Sequence, residues 1–266
     1  MMQLETPIND IDVATFWRDG FIVRKSLADT DTCAKLLAVA DEHLQQQMAP
    51  IEYEVDVRYP GAPDDLYSAG ADTSRRLLQA YSRHPDCREW ARQSLIYMIL
   101  SGLFGRSDIR LSQCHHNCIM TKQPGYSSVT RWHQDNRYWS FDEENLISVW
   151  LALGNEHKRN GCLRVIPGSH KEELPGGRFD AELFLRTDLA GNKLLLNRAV
   201  PIELQSGDAL FFHSRLLHAA GRNLTDSTKF SLVFTYHEAS NRPIENTRSA
   251  RFPSISLKWG RSKVPE

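Results

Sequence analysis

Apolar and polar positions change rhythm near residue 109. Before it, apolar residues recur at helical spacing; after it, they alternate or cluster in short blocks. Asp12 reads as the cap of a short helix through Phe16 and Trp17, closed by Gly20 and followed by an extended stretch over 21–25. Asp31 opens a second helix with Leu36, Leu37, Ala40 and Leu44 on one face. Pro85 opens a third, with Trp90, Ala91, Leu95, Met98 and Ile99 as its apolar face. Between 51 and 76 the rhythm stops. Pro60, Gly61, Pro63 and Gly70 alternate with Tyr53, Tyr59 and Tyr67, and so long an irregular segment predicts a lid or substrate loop. Strands are predicted over 109–121, 146–153, 162–166, 199–204, 209–212 and 230–236. Turn signals such as Pro124-Gly125, Asn160-Gly161, Pro167-Gly168 and Ser206-Gly207 separate them. Many short strands without alternating helices predict an antiparallel sandwich or barrel. The chain is expected to form a single domain over 1–266: a mostly helical part over 1–108, a β core over 109–240 and a C-terminal extension over 241–266.

Composition narrows the setting. A chain of 266 residues with 41% hydrophobic content can bury a full core. Its 32 basic and 33 acidic residues leave a net charge of −1, which removes charge-driven binding to nucleic acid or membrane. No apolar run is long enough to cross a bilayer, and the first residues are acidic where a signal peptide starts basic. A cytoplasmic protein acting on a small molecule is the expectation. Five scattered cysteines do not form a disulfide framework. Cys114 and Cys118 raise the question of zinc, since a strand places Cys114, His116 and Cys118 on one face. Without a second pair at structural-zinc spacing, core cysteines are the preferred reading. Asp142, Glu143 and Glu144 read as a solvated turn.

Candidate chemistry lies in two places. In Trp132-His133-Gln134-Asp135-Asn136, His133 and Asp135 sit two apart, so a strand projects both from one face. In the second, an apolar strand from Ala209 ends in His218, followed by the small residues Ala219-Ala220-Gly221. Two histidines and one carboxylate on a β scaffold match the facial triad of non-haem Fe(II) oxygenases, which leaves three coordination positions free. Lys229 is the candidate cation for the distal carboxylate of an oxo-acid, with Lys122 a second one. Trp150 and Cys118 complete the candidate cofactor-binding set, and Arg222 is an alternative cation.

With these residues in view, the segment from 109 to 237 resembles the phytanoyl-CoA dioxygenase family. The matching motifs are Lys122-Gln123-Pro124-Gly125, Trp132 through Trp139, Asn160-Gly161-Cys162 through His170, and Gly207-Asp208 through His218. Phe16-Trp17-Arg18-Asp19-Gly20-Phe21-Ile22 resembles the family's opening. The resemblance implies a double-stranded β-helix (a cupin-like jelly roll) with N-terminal helices packed on it. It also implies Fe(II), 2-oxoglutarate and dioxygen, with His133, Asp135 and His218 as metal ligands. The position that binds the distal carboxylate of 2-oxoglutarate falls on Lys229, where the family typically has arginine; lysine offers a point charge instead of a fork. Asp135 is the carboxylate that related halogenases lack, so its presence implies hydroxylation.

The implied reaction hydroxylates an unactivated C–H of a small molecule and releases succinate and carbon dioxide. Two alternatives remain: a metal-dependent hydrolase or isomerase on the same fold, and a non-catalytic module that binds metal and oxo-acid. Tyr138 and Trp139 are candidate substrate residues, and Arg131 and Arg137 candidate receivers of an anionic substrate. His170 reads as a turn residue, while His115, His116, His157, His213 and His237 have no individual case.

Overall fold

The computed structural model describes residues 8–57 and 59–257; the remaining parts of the predicted terminal regions lie outside the described residues. Helix α1 (Asp10–Asp19) starts earlier than expected because Asn9 is its cap. The Asn9 side chain accepts from the Asp12 N–H, and the Asp12 carboxylate accepts in return from the Asn9 N–H. Gly20 closes the helix in the left-handed region and leads into β1 (Phe21–Arg24). Helix α2 (Thr30–Gln45) is capped by Asp29 and buries Cys33, Leu36, Val39, Ala40 and His43. Leu37 is 37% exposed, out of phase with the expected face.

The third predicted helix is broken. Its region holds α3 (Ala80–Arg83), α4 (Pro85–Ala91) and α5 (Ser94–Phe104). The break at 92–93 resets the helical phase, so α5 buries Ile96, Ile99, Leu100 and Leu103 and leaves Leu95 and Met98 exposed. The irregular segment 51–76 is also corrected. Its ends are strands β2 (Ile51–Tyr53) and β3 (Ser74–Leu78), too short for a period of two to show, and only the middle is turns.

The predicted strand 109–121 splits into β4 (Ile109–Leu111) and β5 (Asn117–Lys122). Residues between them leave the sheet, and His116 adopts a φ of 29°. Cys114 therefore shares no strand face with Cys118; its thiol donates to the Phe252 carbonyl. The remaining strands are β6 (Thr130–His133), β7 (Leu146–Ala152), β8 (Leu163–Val165), β9 (Val200–Pro201), β10 (Ala209–His213), β11 (His218–Ala220), β12 (Lys229–Glu238) and β13 (Ile255–Ser256). Strand 199–204 is reduced to β9, since Pro201 has no N–H to extend the ladder. Helix α6 (Ala190–Leu196) precedes it.

The larger sheet runs β1-β10-β7-β12-β5-β3-β2, with β4 on β12 and β13 on β4. The smaller runs β6-β11-β8-β9, and every pairing is antiparallel. This is a double-stranded β-helix, with three strands of the larger sheet supplied by the N-terminal part. Between the larger sheet and the helices lies a core that includes Phe16, Leu36, Trp90, Ile99, Phe234 and Tyr236. A second core, including Leu163, Val165, Leu210, Phe212 and Val233, lies between the sheets. The larger sheet is thus covered on both faces, and β7 and β12 are buried almost throughout instead of alternating. No helix among the described residues is long and apolar enough to cross a membrane.

Candidate metal centre

His133 ends β6. His218, expected at the end of the strand from Ala209, instead begins β11 after a turn that follows His213. The sheet register places the two histidines directly opposite each other. The Nδ1 of His133 meets the Arg131 carbonyl at 2.8 Å, and the Nδ1 of His218 meets the Leu216 carbonyl at 3.0 Å. A carbonyl only accepts, so in both rings Nδ1 donates, and in the neutral ring Nε2 is left with its lone pair. The two Nε2 atoms lie 3.6 and 3.7 Å from Asp135 Oδ1. Asp135 is not on the strand with His133, as alternation predicted. It opens a 3-10 turn, Asp135–Tyr138, pinned where the Asn136 N–H donates to the Ser214 carbonyl and Gln134 Nε2 to the Arg215 carbonyl.

One ligand atom from each of these three buried residues lies within 4.8 Å of the others. Asp135 Oδ2 is buried without a hydrogen-bond partner. With both rings neutral, two imidazole lone pairs and a carboxylate face one another and repel unless a cation stands among them. That donor set fits a divalent metal ion. Burial alone drives the Asp135 carboxyl up, but His116, His218 and His133 outweigh it and hold it well below the usual range. Burial, reinforced by His133, pushes His218 down to about 4, which keeps it a neutral donor.

A third imidazole stands beside the set. His116 Nε2 is 3.6 Å from Asp135 Oδ1, its Nδ1 is 3.2 Å from Ser148 Oγ, and its ring meets Trp139 edge-on at 5.2 Å. The sequence spacing set His116 beside Cys114 and Cys118 and not beside this centre, to which the break between β4 and β5 carries it.

Two cavities adjoin the centre. The inner one is lined by His133 and His218 together with Arg75, Arg76, Lys122, Trp150 and Lys229. Lys229 does not stand free: its ammonium donates to Glu156 Oε2 at 3.2 Å and to Ser231 Oγ at 3.0 Å. Glu156 Oε1 also accepts from Trp150 Nε1 at 2.9 Å and from Ser231 Oγ at 2.6 Å. Glu156 was not legible as a site residue, because nothing in its local sequence marks it as buried. Lys122 donates to the Ser128 carbonyl, and burial together with the charge of Arg75 pushes it down to about 7. Arg222 instead donates to the carbonyls of Ser127 and Gly125, holding the turn after β5.

The outer cavity, of about 410 Å³, reaches His133, Asp135 and His116 from the other side. Tyr138 and Trp139 line it, as does Cys118, whose thiol burial pushes up to about 12. Arg131 and Arg137 do not line it. Arg131 pairs with Asp180 at 2.7 Å over the Phe184 ring, and Arg137 donates to Gln134 and the Leu174 carbonyl over Phe179. His170 lies apart, under Gly20, with Nε2 donating to the Trp17 carbonyl.

The chain is similar to known proteins over most of its length. The family model for phytanoyl-CoA dioxygenase (PhyH) matches residues 16–231. Phytanoyl-CoA dioxygenase 1 of Oryza sativa subsp. japonica is 32% identical over 133 residues, covering 50% of this chain and 47% of that protein. The peroxisomal phytanoyl-CoA dioxygenase of Mus musculus is 31% identical over 235 residues, covering 84% of this chain and 66% of that protein. The chain thus spans about half to two thirds of these relatives. Among solved structures, EctD from S. alaskensis, crystallised with 2-oxoglutarate and 5-hydroxyectoine, superposes with a TM-score of 0.75 at 22% identity, covering 92% of this chain and 81% of that one. The epimerase SnoN, solved with Fe3+, alpha ketoglutarate and nogalamycin RO, gives 0.70 at 22% identity, covering 87% and 84%. These two likenesses establish the shared fold.

Proposed function

The chain belongs to the phytanoyl-CoA dioxygenase family, and from that premise we propose that it is an Fe(II)- and 2-oxoglutarate-dependent oxygenase that hydroxylates an unactivated C–H of a small molecule. The observation that carries this reading is the donor set itself. His133 and His218, their Nδ1 atoms held by the Arg131 and Leu216 carbonyls, aim their two Nε2 atoms at the place Asp135 faces. Bound there, Fe(II) with 2-oxoglutarate and dioxygen supplies the oxidising chemistry. The protein's part is to bind and orient. Asp135 balances cationic charge, and the inner cavity receives the oxo-acid between Trp150 and its two lysines.

Glu156 already neutralises Lys229, whereas no acidic side chain hydrogen-bonds to Lys122 among the described residues. Lys122 therefore carries the larger share of the distal carboxylate, with Lys229 assisting. Cys118 faces the outer cavity, and its role as a cosubstrate contact is correspondingly smaller.

Anaerobic addition of Fe(II) and then 2-oxoglutarate tests the proposal by its visible charge-transfer band. The band should appear in the native chain, vanish in His218→Ala and need at least about tenfold more 2-oxoglutarate in Lys122→Met, the loss of one charge-assisted contact. No iron binding in the native chain would reject the donor set. Normal iron binding without the band would reject the cosubstrate.

The buried pairing of Glu156 with Lys229 favours a second reading, a module that binds metal and oxo-acid without turnover. Succinate formation separates the two. Because the epimerase SnoN and the carbocyclase SnoK share the fold, product analysis decides whether hydroxylation is the outcome.

A further inference from the structure

The C-terminal segment forms one wall of the outer cavity. A 3-10 turn, Arg248–Ala250, is followed directly by Arg251. Side chains three apart on such a turn eclipse one another, so Arg248 and Arg251 leave it on the same side. Both line the cavity that contains His133 and Asp135.

The turn is held in place from beneath. Ser249 Oγ shares a 2.7 Å hydrogen bond with His115 Nε2 and accepts from the Ser140 N–H at 2.9 Å, while His115 stacks on Trp139 with ring centroids 4.8 Å apart. Neither arginine forms an ion pair among the described residues, and Arg251 rests only over the Phe252 ring. The other guanidinium on this cavity, Arg76, is matched by Glu52 at 3.3 Å. Both arginines are exposed at the mouth of the cavity, where two cations leaving the turn on one side attract an anion. The wall also carries Tyr59, Tyr138, Trp139 and Phe252, beside the amides of Gln79, Gln113 and Asn117 and the Glu52 carboxylate already matched to Arg76. Its volume of about 410 Å³ suits a small molecule.

We infer that Arg248 and Arg251 form an oxyanion subsite that selects an acidic small-molecule substrate, holding its carboxylate or phosphate while the reacting carbon lies towards His133 and Asp135. This rests on the oxygenase reading and adds the substrate class to it. The arginines named from sequence, Arg131 and Arg137, do not line this cavity and bond instead to Asp180, Gln134 and the Leu174 carbonyl.

Calorimetric titration of the protein, loaded with Fe(II) and 2-oxoglutarate under argon, tests it with three aromatic probes: phenylacetate, phenyl phosphate and the neutral phenylacetamide. At least one anion should bind about tenfold or more tightly than the amide, and each of Arg248→Ala and Arg251→Ala should weaken it about tenfold. The double Arg248→Glu/Arg251→Glu variant should abolish it while its 2-oxoglutarate charge-transfer band stays normal. The preferred anion assigns the group as carboxylate or phosphate. Equal binding of the amide, no binding of either anion, or binding indifferent to these substitutions overturns the inference. The same titrations on the metal-free protein keep the tests apart, because loss of the charge-transfer band counts against the oxygenase and not against the subsite.

Discussion

Three donors converge on the carboxylate of Glu156, from Trp150, Ser231 and Lys229, and all four residues are buried. Removing that carboxylate strands a buried ammonium, so Glu156→Ala should cost about 3 kcal/mol in urea unfolding. Adding Lys229→Met should recover part of the loss, since no charge is then left unpaired; a purely additive double variant would refute the coupling. His213 makes a different prediction. Its Nδ1 accepts from the Arg215 N–H, and burial, with His170 and Arg215 nearby, pushes it down to about 3 from an ordinary 6.5. The unfolded chain therefore takes up a proton that the folded chain refuses. This contribution to stability is complete above about pH 6.5 and is lost as pH falls towards 3. Thermal melts against pH should flatten over that window in His213→Gln; an unchanged slope would refute it. At this scale His133, Asp135 and His218 were legible as candidates, because ligand chemistry restricts residue type and spacing, and the fold brings them together. Glu156 and His116 were not, since their partners are remote in sequence.

Helix ends follow from caps that are local and chemical. Gly20 was readable as a stop, and the structure adds a second reason for glycine there. A Cβ at Gly20 would stand 2.5 Å from His170 Nδ1 and 3.0 Å from Leu216 Cδ1, at a φ of 85°. Gly105 has the same left-handed role at the end of α5, with nothing within 4 Å. Gly105→Ala should therefore cost only the conformational penalty, about 1 kcal/mol, and Gly20→Ala distinctly more. Equal losses in thermal unfolding would show that the His170 contact is not limiting. Helix phase was less legible than helix ends. The break before α5 moved its buried face from Leu95 and Met98 to Ile96, Ile99, Leu100 and Leu103, and both sets are apolar. Among the strands, β2 and β3 escaped notice because three to five residues carry too little alternation.

Across the whole molecule, the segment between β2 and β3 spans from the sheet edge to the outer cavity. Tyr59 lines that cavity, with Arg75 over its ring at 4.5 Å and Phe184 against its edge at 5.2 Å. Many of the segment's backbone hydrogen bonds are short-range turns, such as Ala62 to Tyr59 and Ser68 to Asp65, which open at little cost. Amide exchange over 59–72 should slow when Fe(II), 2-oxoglutarate and phenylacetate are all present. No change there would remove the lid role.

The sequence by itself determined the β class, the family and the three metal-ligand candidates, because these depend on periodicity and on residue chemistry within short motifs. Only the tertiary structure decided what surrounds them. It paired β6 with β11 so that His133 faces His218, and it brought His116 in from the break after β4. It matched Lys229 with Glu156 and laid Arg248 and Arg251 along the outer cavity. Each of these contacts joins residues far apart along the chain. Only the closed, antiparallel packing of the two sheets sets which distant side chains share a buried space, where an unmatched charge or lone pair is costly.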